Sequence, residues 1–258
     1  MEQTKLYDIK DAARYLDVAP STLRYWESEG LVRTERNPAN DYRQYSLHSL
    51  IDASEIAFYR KLGVPVKELK EYHGLTIEAI DNTLEHTARD IERRIGELES
   101  MQEQLEKQQE LNAIAKDLSE HGPRPSTPAL KQLFAMDYQT PKIWPLLVRE
   151  PWRYGICAEA DQPQTLFEAL ADTPLPNAHP IWEREEGTAK TAHLECLLRV
   201  SLDMSESTAP ALFDQVRAQG MLPIRLVGTY LLTATEQAGG QRFDYYRVWI
   251  IGEALDRS

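Results

Sequence analysis

Basic and aromatic side chains that could bind nucleic acid are clustered in the first quarter of the chain. The run Leu23-Arg-Tyr-Trp-Glu27 carries one cluster, Tyr42-Arg43 a second, and Arg60-Lys61 a third. Guanidinium, ammonium and phenol groups donate hydrogen bonds to phosphate oxygens, and arginine also reads base edges. Their type and spacing therefore indicate contact with a nucleic acid.

Two short helices are predicted to carry the first cluster. Asp8 to Leu16 has helical apolar periodicity, Val18-Ala19 turns the chain, and Pro20 suits the first turn of a second helix. Leu23 and Trp26 point inward at a spacing of three residues. The outward side chains are Thr22, Arg24 and Tyr25. Two helices joined in this way predict a helix-turn-helix, whose second helix can enter the major groove.

A hairpin is predicted to follow, because two alternating segments, 31–36 and 42–45, flank the Asn/Pro/Asp-rich turn 37–41. At this wing, Tyr42 and Arg43 can bond phosphate. Ser46 is expected to cap a third helix, roughly 47–62, which Gly63 ends. A short fourth helix is expected from Pro65 through Glu71.

These residues together resemble the MerR family of transcription regulators, over 6–71. The resemblance implies a winged helix-turn-helix dimer that distorts promoter DNA and so acts indirectly on RNA polymerase. It assigns DNA contacts to Arg24, Tyr25, Tyr42, Arg43 and Lys61. Ser21 departs from the basic residue common in the family, and Asp41 from the usual turn glycine, although aspartate tolerates the left-handed conformation. The predicted double-stranded-DNA contacts are Thr22, Arg24, Tyr25, Arg33, Tyr42, Arg43, Arg60 and Lys61.

Composition separates this head from the rest of the chain. The 258 residues suggest two domains, and the net charge is −12. Residues 1–75 contain 11 Lys/Arg and 12 Asp/Glu, so most of the excess acid lies beyond the head. The two cysteines are too few for a disulfide framework, and no secretion signal or membrane-length apolar run is evident. A cytoplasmic location is therefore expected.

Catalytic, metal and cofactor motifs are not evident in the sequence. It contains no Gly-x-Ser-x-Gly, no His-Glu-x-x-His and no phosphate-binding loop, and its histidines lack metal-ligand spacing. No cysteine occurs between 76 and 150, which disfavours soft-metal sensing in the connecting helix. We therefore expect no enzyme activity, no cofactor and no metal site.

A long helix is predicted from Thr76 to Leu118, where there is no proline and one glycine. Its apolar residues are spaced as in a coiled-coil seam. The seam is Ile80, Leu84, Ala88, Ile91, Ile95, Leu98, Met101 and Leu105. It favours a homodimer, with packing against the chain's own C-terminal domain as the alternative. The MerR resemblance implies that the two helices run antiparallel.

The C-terminal part is predicted to be an antiparallel α+β domain. We expect strands at 154–158, 192–202, 224–235 and 243–251, helices at 164–170 and 208–219, and a hairpin at Ala238-Gly-Gly240. A looser copy of the strand–helix–strand–strand order is expected around 153–200. This order and the run Tyr245-Tyr-Arg-Val-Trp-Ile-Ile251 resemble the GyrI-like effector-binding domain, over 150–255. That resemblance implies an aromatic pocket for bulky, often cationic compounds, with a buried glutamate.

Aromatic rings in this region could bind a flat or cationic ligand. The side-chain parity of Glu195 predicts a solvent-facing position. Arg247 or Arg199 would instead suit a partly anionic ligand. The predicted ligand contacts are Trp152, Tyr154, Trp182, Glu195, Tyr230, Tyr245, Arg247 and Trp249.

The predicted fold class is α+β, in four segments: a winged helix-turn-helix head at 1–75, a dimerisation helix at 76–119, a linker at 120–150 and an effector domain at 151–258. The predicted function is that of a homodimeric regulator which distorts promoter DNA on sensing a bulky aromatic small molecule, with a cation as one candidate. Two alternatives remain open at this stage: a GyrI-like hydrolase, and a regulator that works by simple derepression.

Overall fold

The computed structural model describes residues 5–70, 74–174, 179–184 and 191–254. The chain divides into two compact units, Met1–Glu99 and Ser100–Ser258. None of the described helices has the length and apolar character needed to cross a membrane. The helices are α1 (Ile9–Leu16), α2 (Pro20–Ser28), α3 (Leu47–Lys61), α4 (Ile77–His121), α5 (Ile143–Arg149) and α6 (Ala209–Ala218). The strands are β1 (Tyr7–Asp8), β2 (Glu35–Arg36), β3 (Arg43–Tyr45), β4 (Arg124–Pro125), β5 (Gln132–Ala135), β6 (Tyr154–Glu159), β7 (Phe167–Ala171), β8 (Pro180–Glu183), β9 (Thr191–Ser201), β10 (Met221–Thr235) and β11 (Arg242–Ala254).

Helices of the first unit begin and end where the sequence supplies caps. The Asp8 carboxylate accepts a hydrogen bond from the Asp11 amide at 2.8 Å and so caps α1. Pro20 opens α2, and the Ser46 hydroxyl accepts a hydrogen bond from the Ser49 amide at 3.2 Å at the start of α3. The inward faces meet in one core. Its largest fully buried side chains are Leu23, Tyr45 and Ile56.

A three-stranded antiparallel sheet, in the order β1-β3-β2, lies beside these helices. The β2–β3 hairpin turns at Asp41, whose φ is +57°. The expectation that aspartate adopts the left-handed conformation there is confirmed. The fourth helix was predicted too long, because the structure forms a 3-10 turn at Val66–Leu69. Glu71 lies outside the described residues.

The second unit is built around an eight-stranded sheet in the order β4-β9-β11-β10-β6-β7-β5-β8. All its strand pairs are antiparallel. The order β5-α5-β6-β7 recurs as β9-α6-β10-β11, and β6 pairs with β10 where the two halves meet. The strand–helix–strand–strand order predicted for residues 192–251 is confirmed. The looser copy of this order, expected around 153–200, lies earlier in the chain, at 132–171.

Two sequence predictions in this unit need correction. The helix expected at 164–170 is wrong, because Phe167–Ala171 is strand β7, paired with both β6 and β5. Leu166 and Leu170 have helical spacing, but in so short a run pairing on both sides overrides that signal. Residues 120–150 were interpreted as a linker, yet they supply β4, β5 and α5. Prolines there mark turns and a strand edge, which composition alone does not distinguish from a linker.

Apolar residues cover both faces of the sheet. On one face, Phe213 and Val216 of α6 pack over Leu198 and Val248. On the other face, the end of α4 contributes Leu111, Ala115 and Leu118, all buried. Upstream on α4 a run of apolar side chains stays exposed: Ile91 (43%), Ile95 (49%), Leu98 (64%), Met101 (58%) and Leu105 (65%).

Candidate nucleic-acid interface and ligand site

Four of the predicted DNA contacts line a single groove in the first unit. They are Thr22, Tyr25, Arg60 and Lys61, and the groove has a volume of about 340 Å³. The Arg60 Nη1 donates a hydrogen bond to the Val64 carbonyl at 2.5 Å, which holds the guanidinium at the end of α3. The Lys61 Nζ lies 3.5 Å from an Asp17 carboxylate oxygen. The groove therefore combines cations with an aromatic hydroxyl, as a phosphate site requires.

The predicted contacts Arg24, Arg33 and Tyr42 are exposed on the same unit. Tyr42, at the hairpin return, is 73% exposed. Exposed side chains on a helix and on a hairpin can reach a duplex without loss of core packing. The placement is therefore compatible with the predicted contacts, which stay predictions.

Arg43 is not free at the hairpin tip, because it pairs with Glu27 at the end of α2. The Arg43 Nε donates a hydrogen bond to the Glu27 carboxylate. The Thr34 hydroxyl also donates to Glu27 at 2.7 Å, and the Arg36 Nη2 lies 3.6 Å from it. Partial burial by itself would raise the pKa of Glu27, but its bonds with Thr34 and Arg43 outweigh that effect and lower it. The sequence analysis missed Glu27 and Arg36. The sequence does contain an acid on the predicted second helix and basic residues in the predicted hairpin, which could have suggested the pairing.

A cluster of tyrosines and one acid lies where the two halves of the large sheet meet. We call Tyr138, Tyr154, Glu168, Tyr230 and Tyr246 the tyrosine cluster. The Tyr154 hydroxyl donates a hydrogen bond to the Glu168 carboxylate and lies 3.4 Å from the Tyr138 hydroxyl. The ring of Tyr246 packs against the rings of Tyr154 and Tyr230, at centroid distances of 6.1 and 5.8 Å.

Phenol groups in this cluster remain protonated at neutral pH. Burial and the hydrogen bond to Glu168 raise the pKa of Tyr154 well above its usual value, and the same causes raise the pKa of Tyr138 to about 12. Burial also raises the pKa of Tyr246. Neutral rings around one carboxylate form a surface that suits an aromatic cation.

The predicted ligand residues are divided between the two faces of the sheet. Tyr154 and Tyr230 belong to the tyrosine cluster. Trp152 packs beside the buried end of α4, while Trp182 and Trp249 lie in the core of the face opposite the cluster. Arg247 stacks on Trp249, with 4.7 Å from its guanidinium carbon to the ring centroid. Burial raises the pKa of Tyr245. Because Tyr245 and Arg247 are two positions apart on β11, their side chains point to the same face of the sheet. These eight residues do not form one pocket.

The expected solvent-facing position of Glu195 is wrong, because the side chain is only 2% exposed. It accepts a hydrogen bond from the Arg124 Nε at 2.9 Å and one from the Arg247 Nε at 2.5 Å. The alternation of side chains gave the correct face of the strand, but the end of α4 packs on that face and the neighbouring strand β4 supplies Arg124 to the carboxylate. Arg199, the other candidate for an anionic ligand, pairs with Glu236. The sequence analysis missed Glu168, since its segment was interpreted as a helix.

Within the described parts of the chain, no three His, Cys, Asp or Glu side chains are grouped to hold a metal ion. Both cysteines are buried and unpaired. Burial raises the pKa of Cys157 to about 11 and that of Cys196 to about 12, so neither is a thiolate at neutral pH.

Comparisons with known proteins found a matching family model and several similar regulators. Residues 8–45 match the family model described as MerR family regulatory protein. A multidrug-efflux transporter 2 regulator of Bacillus subtilis is 30% identical over 99 residues, or 38% of this chain and 36% of that protein. This chain thus matches about a third of that relative's length. The HTH-type transcriptional regulator CueR of Salmonella typhi is 30% identical over 105 residues, or 38% of this chain and 75% of that regulator. A cryo-EM structure of an EcmrR–DNA complex covers 96% of this chain at 15% identity, with a TM-score of 0.35.

Proposed function

Because this chain belongs to the MerR family of regulatory proteins, we propose that it is a transcription regulator that binds promoter DNA as a homodimer and responds to a small aromatic ligand. The observation that carries the DNA-binding part is the placement of Arg24 and Tyr25, exposed on the second of two short helices within the segment that matches the family. A duplex would meet the groove of Thr22, Tyr25, Arg60 and Lys61, while the hairpin touches phosphate.

The pairing of Arg43 with Glu27 refines the proposed role of the hairpin. Since the Nε of Arg43 is bound by Glu27, its two Nη groups remain for a phosphate, and their direction is fixed before DNA arrives. A pre-oriented guanidinium loses less side-chain freedom on binding than a free one. We assign to Arg43 a register-setting contact with the DNA backbone rather than a base contact.

Removing the Arg24 side chain is expected to weaken binding to the promoter upstream of the regulated gene by about 10- to 100-fold, as loss of a specific contact does. Fluorescence anisotropy over a series of salt concentrations measures this change. Arg149→Ala, which removes an exposed arginine of the second unit, is the matched control and should leave affinity unchanged. Equal affinity of the Arg24→Ala protein and its parent would remove Arg24 from the interface.

The tyrosine cluster is the proposed ligand site. Its support is the grouping of neutral phenols around Glu168 at the junction of two matching half-sheets, an arrangement that suits the GyrI-like effector domain suggested by the sequence. The ring of Trp144, 54% exposed, lies 5.8 Å from Tyr138 and extends the aromatic surface outward. An aromatic cation would stack on these rings and pair with the carboxylate.

Neutralising the acid tests this assignment. We expect Glu168→Gln to lower the affinity for tetraphenylphosphonium by about tenfold or more, because a close charge pair near a protein surface contributes several kcal/mol. Binding of the anionic probe anilinonaphthalene sulfonate should be unchanged or tighter. Glu183→Gln, which alters an exposed acid on β8, is the control in calorimetric titrations. An equal affinity of both variants for tetraphenylphosphonium would contradict the site.

The proposed switch is a change in DNA shape rather than release from DNA. Bending a site of 20–30 base pairs costs on the order of 1–6 kcal/mol, and a ligand contributes to it only by binding two protein conformations unequally. Transcription and footprinting of one promoter, with and without tetraphenylphosphonium, test the whole proposal. Altered transcription with a retained but distorted footprint supports it, whereas a footprint that disappears replaces the switch by derepression.

A further inference from the structure

Strand β10 carries one extra residue beside the tyrosine cluster. Tyr230 pairs with Tyr246 and Leu232 pairs with Tyr245, which leaves Leu231 as an insertion in the ladder. A bulge of this kind interrupts the alternation of side chains along a strand.

The bulge brings Tyr230 and Thr233 onto the same face, although they are three positions apart in the sequence. The Tyr230 hydroxyl lies 2.7 Å from the Thr233 hydroxyl, which donates to Asp244 at 2.5 Å. In a regular strand, residues three apart point to opposite faces. The arrangement of the tyrosine cluster at β10 therefore depends on the inserted residue.

On the other face, the same bulge touches α4. Leu231 is fully buried and packs with Leu111 and Ala115 of the helix. The Gln108 side-chain amide donates a hydrogen bond of 3.0 Å to the Leu231 carbonyl. Since a bulged residue lies outside the regular ladder, this amide satisfies a buried carbonyl at the irregularity.

A second attachment holds α4 nine residues further on, about 13 Å along the helix axis. There Asp117 pairs with Arg124 of β4, and Arg124 in turn pairs with the buried Glu195. This attachment consists of two ion pairs that link the helix to the sheet through Arg124. The polar contact at Gln108 is one neutral hydrogen bond. The helix therefore contacts the sheet through ion pairs near its end, and through apolar packing and one neutral hydrogen bond at the bulge.

We propose that Gln108 is a positioning residue that couples occupancy of the tyrosine cluster to the placement of α4, through the bulge at Leu231. The inference rests on the proposed ligand site. A ring that stacks on Tyr230 changes the position of that side chain or of Thr233, and these two residues flank the bulge. The altered bulge moves the Leu231 carbonyl, and the helix follows through Gln108, with the charged attachment as its pivot.

The test uses the full-length protein with tetraphenylphosphonium as the probe. Affinity is measured by calorimetry, and amide hydrogen exchange is measured in peptides from 100–118 and from 225–235. In Gln108→Ala we expect affinity within about threefold of the parent, but a probe-induced change in α4 that is smaller by about fivefold or more. Gln108→Glu keeps the side-chain size but cannot donate to a carbonyl, so it should give the same loss.

Gln109→Ala is the matched control, because Gln109 is the next residue on the helix and is exposed. It should behave as the parent does in both measurements. An undiminished response of α4 in Gln108→Ala, or an equal loss in Gln109→Ala, overturns the coupling while the ligand site stands. If the parent does not bind the probe, the ligand site fails and the coupling fails with it.

Discussion

A variant with aspartate at both Ile91 and Leu98 is expected to be monomeric and to lose its binding to a promoter with two half-sites. These side chains are 43% and 64% exposed, within a run of five apolar residues along α4. In the proposed coiled coil a second copy covers this run, and each buried side chain contributes about 1.5–3 kcal/mol. Two carboxylates per chain would then be buried without partners, which no apolar seam tolerates. Light scattering measures the mass, and anisotropy the DNA binding.

The control replaces Glu92 and Glu99 by aspartate, one position after each seam residue and exposed. It has the same number of new aspartates on the same helix, so it should stay dimeric. Circular dichroism of both variants should match the parent, since the changed side chains lie outside the packed cores. Dimers that persist in the seam variant would contradict the coiled coil.

The end of the long helix packs on the chain's own sheet, whereas most of the predicted seam is exposed. Its seam was predicted from apolar spacing, and the exposed run at 91–105 is available to a second chain. Beyond it, Leu111 and Ala115 pack with Leu231 of the chain's own sheet, and Leu118 is also buried. Gln108, three positions after the seam residue Leu105, donates its side-chain amide to the Leu231 carbonyl. The surface that this part of the helix contacts comes from residues over a hundred positions away in the sequence.

Local signals predicted the first unit well, because its elements start and end at caps. Asp8, Pro20 and Ser46 each mark a helix start through a bond or a ring restraint that acts within a few residues. Pairing between distant segments is not encoded in this way. Strand β7 has helical apolar spacing, and β4 and β5 lie in a proline-containing stretch, so their sheet positions follow from tertiary contacts.

The same limit explains the errors at the candidate ligand site. Glu168 lies on β7, and a helix there gave no reason to place it among tyrosines. Glu195 lies on the face that parity predicted, but burial of that face depends on α4 and β4. Of the eight residues predicted to bind the ligand, only Tyr154 and Tyr230 belong to the tyrosine cluster. Which ring lies on which face was settled by strand register and by the bulge at Leu231.

Replacing Glu195 by alanine is expected to lower the free energy of unfolding by about 3 kcal/mol, near the lower end for breaking a buried ion pair. The carboxylate is 2% exposed, and it accepts hydrogen bonds from Arg124 and Arg247. Arg247 loses its carboxylate partner and Arg124 keeps only Asp117, although both guanidinium groups remain partly exposed and can be hydrated. Urea denaturation followed by tryptophan fluorescence measures the change, since Trp249 stacks beside Arg247. Glu236→Ala breaks the exposed pair with Arg199 and should cost less than about 1 kcal/mol.

Lowering the pH should remove the stability that the ion pairs of Glu195 contribute to the folded state. Burial by itself raises the pKa of Glu195, but the hydrogen bond from Arg124 and the charge and hydrogen bond of Arg247 outweigh it and hold the pKa below its usual value. A carboxyl with a folded-state pKa below its unfolded value stabilises fully above the unfolded value, near about pH 4.3. As the pH falls through that value toward the folded pKa, the stability is lost. The parent should therefore exceed Glu195→Gln in stability at neutral pH, and the difference should shrink below about pH 4. A difference that stays constant in urea titrations across this range would show that shape and hydrogen bonding, rather than charge, account for the role of Glu195.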